Sequence, residues 1–355
     1  MHFLDDSLRP ENQEKLVITA SPFGSVWEPE DFPGEVPSTI EEQVQKAVDC
    51  YNAGATVLHI HARENNGKVS RRISRMNEVL AGLRQAVPDM ILQVSGSSTY
   101  HPSEGLDVQT KAPQEDIREK LVQVTPKPDQ ISIVVDTTQF NVIEVLLEKD
   151  MAGTSFERPE IRDAFREFWM PAGPRAVENQ LKGLLTAGIQ PCFHPLNIPH
   201  LETIERMIRR GVYTGPVNLG WFGLGGGADA PNPYDLMNFV HRVPDGATLT
   251  VSATMGNALP INTMAIAMGL HARCGIEDTL WGPRGGYMTS AQQVEQLVRI
   301  ARELGREIAS GKEARRIYKI GEYYGSVEET LARLGLPPNR KPGERGVPLR
   351  IPPAC

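Results

Sequence analysis

The sequence predicts a (β/α)₈ barrel, and three observations carry that reading. Eight short apolar segments of strand length follow one another along the 355 residues. Helical stretches separate most neighbouring pairs, which is the pattern of a closed parallel sheet wrapped in helices. The helical stretches repeatedly stop at a glycine, and a new apolar segment begins almost at once; glycine suits the left-handed position that ends a helix, and so short a link is what α/β units use. A doubly wound open sheet is the alternative, but no Gly-x-Gly-x-x-Gly follows the first apolar segment.

Taken in order, LVITA (16–20) is the first strand, rich in β-branched residues. A helix over 39–52, stopped at Gly54, leads into TVLHIH (56–61). Helices over 76–85 and 114–123 precede ILQVS (91–95) and QISIVV (130–135). The helix over 180–186 ends at Gly188 ahead of IQPCF (189–193), and the helix over 201–210 ends at Gly211 ahead of PVNLGW (216–221). A helix over 233–241 precedes TLTVS (248–252), and GLHARCG (269–275) completes the set. Two segments exceed a minimal barrel of residues 1–317. One is an insert at 148–176 between the fourth and fifth strands, carrying Phe156, Phe165, Phe168 and Trp169. The other is a C-terminal extension, 318–355, with a helix over 326–334 and a proline-rich arm to Cys355. Both read either as subunit-contact or lid elements or as surface decoration.

Composition narrows the functional classes. The chain is 40% hydrophobic and 23% charged with a net charge of −7, ordinary for a globular protein with a large core. It has no long Lys/Arg run to follow a phosphate backbone, which argues against a nucleic-acid partner. It also lacks a run of about 18 apolar residues for a membrane span and an apolar secretory leader. Cys50, Cys192, Cys274 and Cys355 lie far apart with no Cys-x-x-Cys pair, so neither a zinc ribbon nor a disulfide framework is expected, and the cytoplasm is the default location.

The chemistry gathers at strand ends. In a barrel all strand C-termini face one end, where active sites form. His59 and His61 alternate on the second strand and so share a face, about 7 Å apart along the chain. The eighth strand delivers HARCGIEDTLW, with Arg273 near the rim and Glu277 and Asp278 just beyond. Two imidazoles and one carboxylate make a three-ligand zinc set with a position left for substrate; magnesium would not choose two histidines. Plainer readings stand beside these. Asp278 could be a helix N-cap, Arg273 could merely pair Glu277, and Ser95 could satisfy a turn in SGSST. Gly225, Gly226 and Gly227, after the sixth strand, could admit a phosphate or only make a turn. A metal-dependent hydrolase of the amidohydrolase kind also places His-x-His on a barrel strand, but on the first one and with further histidines later. A metal-binding barrel without turnover is a third possibility.

The segments VLHIHAR with downstream GKVS, GLHARCGIEDTLW and RIARELGREIASGKEAR resemble the β-keto acid cleavage enzymes, over about residues 16–317. The resemblance implies a (β/α)₈ barrel, usually a homotetramer, and zinc held by His59, His61 and Glu277. It implies catalytic roles for Arg273 and Asp278, and substrate hydrogen bonds from Ser95 and Ser132. The reaction implied converts a β-keto acid and acetyl-CoA into acetoacetate and a new acyl-CoA. Three departures mark the barrel mouth. Cys192 stands where a catalytic glutamate is expected, followed by Phe193 and His194. Val26 stands where the family has a glutamate after the first strand, with Glu28 and Glu30 close by. Gly225-Gly226-Gly227 replaces Pro-Gly-Gly. His194 could then serve as a base, recognise an anion, or fill space as a neutral ring.

Overall fold

The computed structural model describes residues 1–95, 117–139, 141–166 and 168–343. Gly96 to Thr99 of the SGSST turn, the first three residues of the 114–123 helix, and the end of the proline-rich arm with Cys355 lie outside the described residues.

Among the described residues, eight parallel strands close into a barrel in sequence order: β1 (Ile18–Ala20), β2 (Val57–Ile60), β3 (Ile91–Val94), β4 (Gln130–Val134), β5 (Gln190–His194), β6 (Asn218–Gly223), β7 (Thr248–Ala253) and β8 (His271–Cys274). Closure comes from β1, which pairs with β8 through Thr19 and Arg273 and with β2 through Thr19 and Val57. Every predicted strand is present, displaced by a residue or two. The largest shift is in β6, which runs on through Gly223 instead of ending at Trp221.

The helices wrap the barrel as read from the sequence. Thr39 caps Ile40–Ala53 in a reciprocal capping box with Glu42, and Gly54 ends that helix in the left-handed region. Two readings change. The described part of the 114–123 stretch is a 3-10 helix, Arg118–Gln123. Asp278 starts no helix; the helix after β8 is Ser290–Glu303, capped by Thr289, because the Asp278 carboxylate is engaged with Arg273 instead.

The insert packs over the C-terminal ends of the strands. Phe156 is fully buried, edge-on to Trp27 at 5.2 Å and tilted against Phe165 at 5.3 Å, in an apolar cluster that also takes in Leu196, Phe222 and Met255. Polar contacts seal its edge. Asp31 accepts hydrogen bonds from the Ser155 backbone and from its hydroxyl, the latter at 2.8 Å, and Arg158 pairs with Glu28 and, at 3.6 Å, with Glu30. Both glutamates near Val26 therefore hold the insert. Phe168 is buried, whereas Trp169 is 43% exposed. Phe156→Ala is expected to destabilise the protein by about 3–5 kcal/mol, the cost of an aromatic deleted from a closed core. Trp169→Ala should move the denaturant midpoint by less than about 0.5 kcal/mol equivalent.

The opposite end of the barrel is stoppered by the segment after the helix Gly311–Ile317. Tyr318 is buried, its hydroxyl 2.5 Å from Thr250 Oγ1 and its ring 5.5 Å from that of His271. Its backbone carbonyl accepts from Asn218 Nδ2 at 3.0 Å and from Gln190 Nε2 at 3.3 Å.

Candidate active site

His59 and His61 stand at the C-terminal end of β2, both buried, with ring centroids 5.2 Å apart. Glu277 reaches them from the turn after β8, across β1. Two close approaches set its position. Gly275, at φ 143°, lies so near the backbone of Ser21 that a Cβ would meet Ser21 O at 2.1 Å, and the Glu277 N–H donates to that same carbonyl at 3.2 Å. Gly24, in the loop after β1, leaves the space through which the Glu277 side chain passes; a Cβ there would meet Glu277 Cγ at 2.0 Å.

Glu277 Oε1 then lies 3.3 Å from His61 Nε2 and 3.8 Å from His59 Nε2, and one ligand atom from each of the three residues falls within 4.8 Å of the others. Among the described residues no hydrogen bond satisfies His61 Nδ1, His61 Nε2 or Glu277 Oε2, although all three atoms are buried. Buried polar atoms without partners are costly. Two imidazoles and a carboxylate converging with these atoms left unsatisfied are the donor set a divalent cation requires. The residues present therefore fit a metal.

Arg273 organises the acids. From β8 its guanidinium donates to Asp278 through Nε at 3.0 Å and Nη2 at 2.7 Å, lies 2.7 Å from Glu277 Oε1, and sits 4.3 Å over the Phe222 ring. Asp278, also buried, accepts a further hydrogen bond from Ser252 Oγ at 2.9 Å. Burial pushes the carboxyl of Asp278 upward against the pull of Arg273. For Glu277 burial pushes the same way, but Arg273 and the two imidazoles together outweigh it and hold the group well below the usual carboxylate range. The two acids are thus driven apart by their surroundings.

The remaining candidates divide. His194, the last residue of β5, packs face to face with His59 at 6.0 Å; burial and then the Arg273 charge lower it to about 3, so its ring is neutral. Cys192, two residues earlier on the same strand, is buried against Gln93, and its thiol is pushed up to about 12. Ser95 follows β3 directly and Ser132 lies on β4 in register with Cys192; both are buried. Gly225, Gly226 and Gly227 take φ values of 76°, 57° and 101° and pass close to the segment that precedes the insert: a Cβ on Gly226 would meet Asn141 Cβ at 2.5 Å. The cavity over these polar groups has walls of Val26, Val134, Val142, Leu196, Phe222 and Leu224.

Several site residues carry no sequence signal strong enough to find them. Ser252 and Gly24 lie in segments, TLTVS and SPFGS, that read as an ordinary strand and turn. Gln93, below the cavity, accepts a hydrogen bond from His59 Nδ1 at 2.8 Å.

Residues 15–320 match the family of beta-keto acid cleavage enzymes. The chain belongs to that family. It is an enzyme of carbon–carbon bond cleavage, as the family's members are. Among curated proteins, the 3-keto-5-aminohexanoate cleavage enzyme of Acetoanaerobium sticklandii is 28% identical over 311 residues, covering 87% of this chain and 100% of that protein. The 3-dehydrocarnitine:acetyl-CoA trimethylamine transferase of Rhizobium meliloti is 24% identical, over 80% of this β-keto acid cleavage enzyme and 90% of its own length. Among solved structures, ObcA in its apo form shares the fold with a TM-score of 0.59 at 14% identity, over 81% of this chain and 66% of ObcA. Among the described residues no helix is long and apolar enough to cross a membrane.

Proposed function

We propose that this enzyme is a zinc-dependent acyltransferase that converts a β-keto acid with an uncharged acyl tail and acetyl-CoA into acetoacetate and the corresponding acyl-CoA. The observation that carries the reading is the triad His59, His61 and Glu277, whose ligand atoms converge while His61 Nδ1, His61 Nε2 and Glu277 Oε2 find no hydrogen-bond partner among the described residues. Two nitrogens and one oxygen suit zinc and leave a position for substrate. Zinc held there would supply Lewis acidity toward a substrate oxygen.

The chain's own groups do the rest. Asp278, held in a bidentate grip by Arg273 and bonded by Ser252, takes and returns the proton at the carbon between the keto and carboxylate groups. Arg273 keeps Asp278 and Glu277 in fixed orientation and offers its charge to the substrate carboxylate. Ser95 and Ser132 contribute hydroxyls from β3 and β4, and His194 contributes a neutral ring beside His59. The bond between the acyl carbon and its neighbour and the thioester bond of acetyl-CoA both break, the acyl group goes to the CoA sulfur, and the acetyl group joins the released two-carbon acid unit, so atoms balance without an oxidant.

The tail preference follows from the walls. Val26 stands in the cavity with Val134, Val142, Leu196, Phe222 and Leu224, and the nearby Glu28 and Glu30 are tied to Arg158. An apolar tail gains about 0.8 kcal/mol per buried methylene there, and a charged tail loses hydration against these apolar side chains. In a panel of β-keto acids with alkyl, ammonium and carboxylate tails, acetyl-CoA-dependent acetoacetate release is expected to be fastest for short alkyl tails, by about tenfold or more in kcat/KM. Equal rates across the panel remove the tail assignment. No acetoacetate from any member removes the transferase reading.

A further inference from the structure

The barrel interior holds a polar line that the reaction does not use. His59 Nδ1 meets Gln93 Oε1 at 2.8 Å, Gln93 Nε2 meets Gln130 Oε1 at 3.0 Å, and Gln130 Nε2 meets Gln190 Oε1 at 2.9 Å. Gln190 Nε2 ends the line on two backbone carbonyls, Lys319 O at 2.9 Å and Tyr318 O at 3.3 Å. All three glutamines are buried. Strand register sets them side by side: His59 opposite Gln93, Gln93 opposite Gln130, and Gln130 opposite Gln190, across β2 to β5.

The line has only one self-consistent polarity. A backbone carbonyl can only accept, so the Gln190 amide nitrogen must face Tyr318 and Lys319. Its oxygen then faces Gln130, which must present its own nitrogen, and the same constraint passes to Gln93. Reversing any one amide sets oxygen against oxygen or nitrogen against nitrogen. Gln93 therefore offers His59 an acceptor, and a neutral imidazole facing an acceptor carries its proton on Nδ1. Nε2 is left as the lone-pair nitrogen, 3.8 Å from Glu277 Oε1.

We propose that Gln93, Gln130 and Gln190 are positioning residues: an oriented amide relay, anchored on the Tyr318–Lys319 backbone, that fixes His59 as the Nδ1–H tautomer and presents Nε2 to the metal position. This rests on the metal reading above, yet the tautomer is a property of the metal-free protein too. His61 has no such partner among the described residues, with neither ring nitrogen hydrogen-bonded. The relay thus makes His59 the preset ligand of the pair. Groups that orient a ligating imidazole typically change metal affinity by 10–100-fold.

The test uses the full chain labelled with ¹⁵N only at histidine, with the His59 ring signals assigned by their loss in His59→Gln. In the metal-free protein the ring nitrogens are expected to report the Nδ1–H tautomer; an Nε2–H tautomer there overturns the proposal with no variant needed. In Gln93→Leu the tautomer mixture is expected to shift toward Nε2–H, and zinc affinity, measured by competition with a chromophoric chelator, to fall about 10–100-fold. Gln190→Leu, remote from the cavity, is expected to shift both readouts in the same direction by less, with near-unchanged far-ultraviolet circular dichroism. Wild-type tautomer and affinity in both folded variants overturn the relay. If wild-type protein shows the Nδ1–H tautomer but binds no zinc, the metal reading fails and the relay stands as a tautomer-setting device only.

Discussion

His61→Ala is expected to abolish stoichiometric metal binding, with affinity reduced by more than about a hundredfold. Changes to groups merely behind a metal ligand cost about 10–100-fold, and here a ligand itself is removed. Neither nitrogen of His61 is hydrogen-bonded among the described residues, and its Nε2 points at Glu277 Oε1 from 3.3 Å. Glu277→Gln should lose metal too, while keeping the shape that Gly24 and Gly275 accommodate. Elemental analysis of purified protein and chelator competition check both. The proposal is abandoned if wild-type protein takes up no zinc or related transition metal, or if His61→Ala holds it as tightly as wild type.

Asp278→Asn is expected to retain the metal and lose about 10²–10⁴ in kcat, the usual worth of a positioned proton-transfer group, or about 3–5 kcal/mol of barrier. The substitution is nearly isosteric. It leaves the donor atoms of His59, His61 and Glu277 in place and keeps one oxygen to accept from Arg273 or Ser252. It removes the charge that balances Arg273 and the site that receives the proton. The fold should survive, because Arg273 stays paired with Glu277 at 2.7 Å and stacked on Phe222. Steady-state acetoacetate formation, measured together with metal content, separates the outcomes. A variant with kcat within about tenfold of wild type assigns the proton to another group; a variant stripped of metal makes Asp278 part of the ligand set.

The fold was legible because its determinants are local. Each barrel strand is a run of apolar, often β-branched residues, and glycines such as Gly54 and Gly188 stop the preceding helices where the left-handed conformation is needed. The convergence of His59, His61 and Glu277 was legible too, since β8 and β2 both flank β1 in a closed barrel. What could not be read depends on contacts between distant parts of the chain. Asp278 followed by Thr-Leu-Trp has a local pattern that suits a helix start; only the guanidinium opposite diverts its carboxylate. The Glu28 and Glu30 side chains look available beside Val26 until Arg158 of the insert claims them. Gln93, Gln130 and Gln190 are single polar residues in apolar strands, and nothing in QV, QISIV or QPCF indicates that three amides from three strands will meet in one line.

The stopper at the lower end of the barrel has a consequence for the upper end. The last amide in the line leans on carbonyls of a segment encoded after all eight staves. A change in that segment would loosen the bias on an imidazole at the far mouth without touching any residue of that mouth.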